Sequence, residues 1–422
     1  MPSYYVWNIG CQMNAADARR ATEGLEALGL EAAPDIEQAD VIVLNTCVVR
    51  QSAETRVWGR LSSLKPVKRH RPGAFLALMG CAVGDDTDAL AARFPFVDAF
   101  IRPSDVNGLL DAIRRHGLAG GMAAGAATPA PVSRSVTAIH GCDHHCTYCI
   151  VRLRRGAQVS RPLHEILAEV RGATAQGSRE IVLLGQNVDA YGRDLPEPLD
   201  LADLLRAVHG VEDVWRIRFL TSHPADLSPR VIEAARDLPK VCEHFELPVQ
   251  AGDDAVLKWM GRNYTAGQYR TLVQRIRETV PGAAIATDVI VGFPGETEEA
   301  FANTLRLLEE IRFDAVHVAA YSIRPGTPAE RLADDVPAPE KERRRRAVDE
   351  LQQRIVGEIN RQLLGHTVEV LVEERQRGRW RGRTRTNKLV FFESVEDWTG
   401  RLAQVRVTWA GPWSLLGEVA SL

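Results

Sequence analysis

Gly141-Cys142-Asp143-His144-His145-Cys146-Thr147-Tyr148-Cys149 gathers three of the chain's seven cysteines at the spacing C-x3-C-x2-C. Three thiolates this close match three corners of an iron–sulfur cube. A set of three leaves one iron without a protein ligand, open to a substrate or cofactor. The spacing therefore points to chemistry more than to plain electron transfer. A zinc site completed by His144 or His145 is the competing reading. No second Cys pair follows at finger-like spacing, which weighs against zinc.

Upstream of this loop, three apolar runs at 4–9, 41–44 and 75–79 each end at a cysteine: Gly10-Cys11, Thr46-Cys47 and Gly80-Cys81. Helix-like segments at about 14–28 and 52–63 separate them, giving a βαβαβ pattern and a parallel sheet. Residues just beyond the strand C-termini of such a sheet share one crevice. One buried cysteine would mean little, since free cysteines are commonly small core residues. Three at equivalent strand ends predict a second cluster site, held by Cys11, Cys47 and Cys81. The Gly-, Ala- and Pro-rich stretch 117–135 cannot support a core and reads as a connector.

Downstream, strands and helices alternate from about 162 to 321, preceded by a strand before Cys142. Six β–α units predict a parallel sheet curved into a partial barrel, with functional groups at strand C-termini. Those ends carry Gly185-Gln186-Asn187, Thr221-Ser222-His223-Pro224, Pro248-Val249-Gln250-Ala251-Gly252 and Gly292-Phe293-Pro294-Gly295-Glu296, then Tyr321-Ser322-Ile323-Arg324-Pro325-Gly326-Thr327. Glycine permits close backbone approach to a ligand, and amide and hydroxyl side chains can bond a ribose or purine edge. Cys242 falls early in a strand, 242–249, and is expected in the core.

The last third opens with a charged helix from about 341 to 364. Arg375, Arg377, Arg379, Arg381, Arg383 and Arg385 then occupy alternate positions, which in extended chain puts six guanidinium groups on one face. Like charges side by side cost stability, which an RNA phosphate would relieve. Strand-like runs around 367–371, 388–392, 403–407 and 417–420 suggest a small β-barrel.

Bulk composition agrees with an ordinary globular chain of two to three domains: 422 residues, 45% hydrophobic, net charge −3. Any nucleic-acid partner must therefore meet a local basic face. No apolar run of 18 or more residues occurs, and the start of the chain does not read as a signal peptide. Seven cysteines without secretory context suggest a reducing compartment and metal ligation.

The cysteine loop resembles the signature of the radical S-adenosylmethionine (SAM) enzymes. Gly10-Cys11-Gln12-Met13-Asn14, Asn45-Thr46-Cys47-Val48-Val49-Arg50 and Gly80-Cys81-Ala82 resemble the three N-terminal motifs of the methylthiotransferases. Gln-Met-Asn after the first cysteine, and Leu183-Leu184-Gly185-Gln186-Asn187-Val188, resemble the MiaB-type forms of these motifs. Gly382-Arg383-Thr384-Arg385-Thr386-Asn387 resembles a segment of the RNA-binding TRAM domain.

The resemblance implies an α/β fold in three parts, with boundaries placed as follows. Residues 1–118 form an N-terminal parallel α/β domain with an auxiliary cluster, and 119–135 a linker. Residues 136–358 form a partial (β/α)6 radical-SAM barrel, and 359–422 a small TRAM β-barrel. It implies two 4Fe–4S clusters, one on Cys142, Cys146 and Cys149 and one on Cys11, Cys47 and Cys81, with SAM as cosubstrate. Gln186, Ser222, Gln250, Ile290 and Gly292 become the candidate SAM contacts. Arg155, Ser160 and Arg161, with Arg379, Arg381, Arg383 and Arg385, become candidates for RNA or other anionic groups. The implied activity is methylthiolation of C2 of N6-isopentenyladenosine next to a tRNA anticodon. The implied setting is a cytoplasmic monomer that meets the anticodon stem-loop and a flavodoxin or ferredoxin electron donor. The chain departs from the pattern at Ala18-Arg19, Arg152, Gln158 and Glu246, where relatives usually carry Ser-Glu, Pro, Glu and, in many cases, His.

Overall fold

The computed structural model describes residues 1–48, 51–84, 86–118 and 130–420. Most of the expected linker, 119–129, lies outside the described residues. The chain forms two compact units. The first holds the described residues of Met1–Thr128 with His140–His144 and Cys149–Ala157; the second holds the remainder.

In the first unit a parallel sheet has the order Glu31–Ala32, Ser3–Asn8, Val41–Thr46, Phe75–Gly80, Ala99–Ile101. Along the chain this is strand order 2-1-3-4-5, the doubly wound pattern whose switch point lies between strands one and three. Alternation of side chains explains the continuous apolar runs. Ile42, Leu44, Leu76 and Leu78 pack into one core. Val41, Val43, Phe75, Ala77 and Met79 pack into another with Leu25, Leu109 and Ile113. Ile150 joins the first of these cores, beside Leu44, Val48 and Cys81.

In the second unit, Ser133–Thr137, Glu180–Leu184 and Arg216–Phe219 form one parallel group. His244–Glu246, Ala284–Val291 and Ala315–Ala320 form another, and a parallel bridge from Ile217 to Val241 connects the two. Helices Leu163–Ala175, Leu201–His209, Pro229–Asp237, Ala266–Thr279 and Glu298–Ile311 alternate with these strands. The starts of the last four are set by capping side chains: Asp200, Ser228, Thr265 and Thr297 each accept a bond from a first-turn amide. The expected strand 242–249 shrinks to His244–Glu246. Cys242 precedes it, buried, its amide bonded to Ile217 O, and Pro248 and the left-handed Gln250 (φ 71°) interrupt the ladder beyond it.

Helix Ala338–Arg361 runs on to a closed barrel of Thr367–Gln376, Arg379–Thr384, Leu389–Phe392, Leu402–Ala410 and Leu415–Val419. This small barrel is docked on the starts of the β/α strands. Arg218 donates from Nε to Glu180 Oε2 (2.8 Å) and from its Nη atoms to the carbonyls of Thr384 and Arg385 (both 2.7 Å). Arg216 reaches Arg383 O at 2.6 Å and Glu369 Oε1 at 2.8 Å. Arg385 pairs with Glu243 (2.7 Å) and Lys388 with Asp314 (2.8 Å).

The docking corrects the arginine reading. Arg377 (φ 49°) and Gly378 (φ 86°) turn the chain between two strands, so the six arginines do not share one face. Arg379, Arg381 and Arg383 do lie on one strand, and their charge is met within the protein. Arg379 pairs with Glu393, Arg381 with Glu373 and Glu374, and Arg383 with Glu373. Among the described residues, no helix is long and apolar enough to cross a membrane.

Candidate functional site

The N-terminal triad sits at the carboxyl ends of three adjacent parallel strands. Cys11 caps helix Gln12–Ala27, Cys47 follows Val41–Thr46, and Cys81 follows Phe75–Gly80. The polar residues beside them tie the strand ends together. Asn14 Nδ2 donates to Thr46 O (2.6 Å) and Asn45 Nδ2 to Asn14 O (2.6 Å). Thr46 Oγ1 donates to Met79 O (2.6 Å), and Cys81 N donates to Thr46 O (2.9 Å). Gly10 and Gly80 adopt φ of 137° and 98°, and a Cβ on Gly10 would lie 2.5 Å from Cys47 Cβ. The backbone is thus drawn in until the cysteines meet.

The Cys47 side chain hydrogen-bonds Cys11 and, with the charge of Arg155, lowers the Cys11 pKa to about 6. Burial pushes the Cys81 thiol up, while Arg155 opposes that shift. A gathered set of cysteines outside any disulfide, with a guanidinium beside them, suits a cluster, which is negative and needs thiolates. The N-terminal donor set therefore fits an iron–sulfur group.

Arg155 had been a candidate for RNA or SAM. Its side chain is instead buried in the first unit, paired with Asp17 Oδ2 at 3.1 Å and bonded to Asn14 Oδ1 and Ser104 Oγ. Sequence could not reveal this, because the partners lie 138 residues apart. Ser160 is likewise engaged: its Oγ donates to Asp194 Oδ1 (2.6 Å) and accepts from Gly192 N (3.0 Å). Arg161 pairs with Glu169 at 2.7 Å and donates to Thr137 O. These residues brace the fold and offer no free cationic face.

Cys142, Cys146 and Cys149 are each half-buried and none is in a disulfide. Three half-exposed thiols on one short loop suit a cluster that keeps one iron open to a cosubstrate. Within the first unit, Cys142 N donates to Gly156 O at 3.2 Å. Gly141 has φ 69°, and a Cβ there would lie 2.0 Å from Ala157 O. Gly141→Ala is expected to cost at least about 2 kcal/mol, from left-handed strain plus overlap with backbone. Thermal melts should show the loss, and anaerobic reconstitution should show less iron retained.

Within the second unit, Thr147 N donates to Met260 O (2.9 Å) and Thr147 Oγ1 to Trp259 O (2.8 Å). Arg262, absent from the sequence-based candidates, is buried and donates from Nη1 to Cys146 Sγ at 3.5 Å.

The proposed SAM contacts follow the carboxyl ends of successive barrel strands. Gln250 N donates to Asp288 O and Ile290 N to Gln250 O, both 2.9 Å, so Gln250 and Ile290 are brought side by side. Gly292 (φ 70°) donates to Glu296 Oε2 at 2.5 Å. Gln186 Oε1 is buried without a hydrogen-bond partner, as expected of a group reserved for a ligand. Ser222 Oγ is already used, donating to Asp189 Oδ1 at 3.2 Å. Asp189, which also accepts from His223 N (2.8 Å), is a second residue that the sequence did not single out. Burial raises its pKa to about 7.

Three family models match the chain in order: "Uncharacterized protein family UPF0004" over residues 3–102, the radical SAM superfamily over 136–308 and the TRAM domain over 361–420. A protein of Roseiflexus sp. (strain RS-1) is 48% identical over 99% of this chain and 89% of its own length. One from Dehalococcoides mccartyi (strain CBDB1) is 46% identical over 100% of this chain and 99% of its own. Both carry the name tRNA-2-methylthio-N(6)-dimethylallyladenosine synthase. Among solved structures, the radical SAM methyltransferase TsrM of Kitasatospora setae matches with TM-score 0.57 at 13% identity, covering 90% of this chain and 81% of that one. That likeness speaks to fold alone.

Proposed function

Because the chain belongs to the family of the tRNA-2-methylthio-N(6)-dimethylallyladenosine synthases, we propose that it places a methylthio group on C2 of N6-isopentenyladenosine beside a tRNA anticodon. The observation that carries this reading is the gathering of Cys11, Cys47 and Cys81 at one end of a parallel sheet, in a chain that also holds the C-x3-C-x2-C loop. In this reading those three cysteines hold one 4Fe–4S cluster and Cys142, Cys146 and Cys149 hold the other. The chemistry these groups supply when bound is reductive cleavage of SAM at the loop and delivery of a methylated sulfur at the N-terminal triad.

The chain's own part is positional. Asn14, Asn45 and Thr46 fix the three strand ends that present the N-terminal thiols. Gln186, Gln250, Ile290 and Gly292 line the carboxyl end of the barrel, where the nucleoside of SAM is to be oriented and water excluded. Domains of 1–118, 136–358 and 359–422, joined by 119–135, would divide these tasks, and the small barrel would hold the anticodon stem-loop. A flavodoxin- or ferredoxin-like carrier would bring the electron. A cytoplasmic monomer suits this role.

Cys47→Ala should remove one cluster and leave the other. Iron per chain is expected to fall from about eight to about four, with methylthiolation abolished while SAM cleavage by dithionite-reduced protein persists. Unchanged iron would refute the N-terminal cluster. Nucleosides from a deletion strain should lack the methylthio form of isopentenyladenosine, and its persistence would refute the substrate.

A further inference from the structure

We infer that Arg262 is a positioning residue that sets the electrostatic surroundings of the Cys146 thiolate, and through it the reduction potential of the cluster on the loop. The inference rests on the cluster assignment above. Arg262 follows helix Asp254–Trp259 and is 8% exposed. Each edge of its guanidinium is engaged: Nε donates to Tyr264 Oη (2.9 Å), Nη2 to Pro248 O (2.9 Å) and Nη1 to Cys146 Sγ (3.5 Å). Tyr264 Oη is itself anchored to Val249 O at 2.8 Å, so the group cannot swing away.

Its partners distinguish it from other buried arginines. Arg155, Arg218 and Arg344 each pair with a carboxylate: Asp17, Glu180 and Glu296. Among the described residues, no carboxylate lies within ion-pairing distance of Arg262. Its acceptors are a phenol oxygen, a carbonyl and one sulfur. A buried cation without a counter-charge is unfavourable. A thiolate bound to iron supplies that counter-charge, whereas a neutral thiol does not. The arrangement is therefore complete when Cys146 is a thiolate, the state that ligation of iron enforces.

The register is fixed as well. Residues 259–262 are clamped on the middle of the cysteine loop by the two Thr147 bonds, and a Cβ on Gly261 (φ 69°) would lie 2.8 Å from His145 O. Loop and guanidinium therefore move together. A positive donor aimed at a ligand sulfur favours the more negative, reduced form of a cluster and raises its potential. The one electron concerned comes from an external low-potential carrier and no proton is required. Arg262 thus eases the entry of that electron.

The test is an EPR-monitored redox titration of anaerobically reconstituted full-length protein, with dithionite and mediators and no RNA. The loop cluster is identified by the change that added SAM makes in its signal. Arg262→Gln should keep wild-type iron and sulfide but show a more negative midpoint for that cluster, with the N-terminal cluster unmoved as an internal standard. Arg262→Lys should recover part of the shift. An unmoved midpoint in Arg262→Gln overturns the inference, as does an equal shift of both clusters. Should Arg262→Gln fail to fold, Tyr264→Phe, which frees Nε, carries the test: a smaller shift of the same sign is expected, and none overturns the inference. Wild-type protein without a SAM-responsive cluster would instead overturn the cluster assignment itself.

Discussion

Arg218→Met is expected to destabilise the second unit by about 3–5 kcal/mol, the usual cost of removing one member of a buried ion pair. Both partners are almost fully enclosed, with side-chain exposures of 3% for Arg218 and 4% for Glu180. Methionine fills much of the volume but leaves the Glu180 carboxylate uncompensated. It also strips two carbonyls, those of Thr384 and Arg385, of their donors. The damage should therefore appear where the small barrel meets the β/α strands. Denaturant melts should show an early transition for the C-terminal barrel, and limited proteolysis should cut first near 361–367. Arg216→Met is the internal comparison. Its carboxylate partner Glu369 is 36% exposed and can be rehydrated, so the loss should be about 1–3 kcal/mol. Equal losses for the two variants would contradict the role given to burial.

The pH dependence of stability should be altered as strongly by Asp189→Asn. Asp189 has a folded pKa of about 7 against an ordinary value of 3.8, chiefly through burial. Between those two values the unfolded chain releases its proton while the folded chain keeps it. The folded state then binds more protons, so stability falls as pH rises through this window. At about 1.4 kcal/mol per pKa unit, the full effect is roughly 4–5 kcal/mol. Glu246, also raised to about 7 by burial and by Asp288, acts with the same sign. His244 acts oppositely: it is buried neutral with its pKa lowered to about 3, so it favours folding less and less as pH drops below about 6.5. The wild-type curve between pH 4 and 6.5 is thus a partial cancellation. The difference between wild type and Asp189→Asn isolates one carboxyl. Melts from pH 4 to 8 should find the variant gaining on wild type up to about pH 7 and holding a constant offset above it. A difference that does not change with pH would refute the buried, protonated state of Asp189.

Much of this architecture is legible in the chain because its signals are local. Uniform apolar runs mark strands buried on both faces, as Val41–Thr46 and Phe75–Gly80 prove to be. Helix starts are announced by Asp200, Ser228, Thr265 and Thr297, which need only their own first turn. Cysteines at strand ends can be placed together once the sheet is parallel. What local pattern cannot supply is the partner of a charge. The alternating arginines point to a phosphate in sequence because nothing local places Glu373, Glu374 and Glu393 beside them. Arg155 and Arg161 were assigned outward for the same reason, while Asp17 and Glu169 hold them. Arg262 is silent in sequence because nothing in its neighbourhood points to Cys146, 116 residues away. The backbone turn at Gln250, with its positive φ, shortened a strand that hydropathy alone would extend.

The internal neutralisation of Arg379, Arg381 and Arg383 has a thermodynamic corollary. A polyanion usually gains affinity for a basic strand by shedding condensed cations, and the strength of that entropy gain is set by how many lattice charges become neutralised. Here each guanidinium already leans on a carboxylate of the same barrel. A docking phosphate would have to compete with Glu373, Glu374 or Glu393 for these guanidinium groups, so part of the Coulombic attraction is cancelled by repulsion from the neighbouring carboxylate. Contacts on this strand would then behave as exchange reactions between two anions, with a gentler dependence on ionic strength than a tally of arginines would suggest.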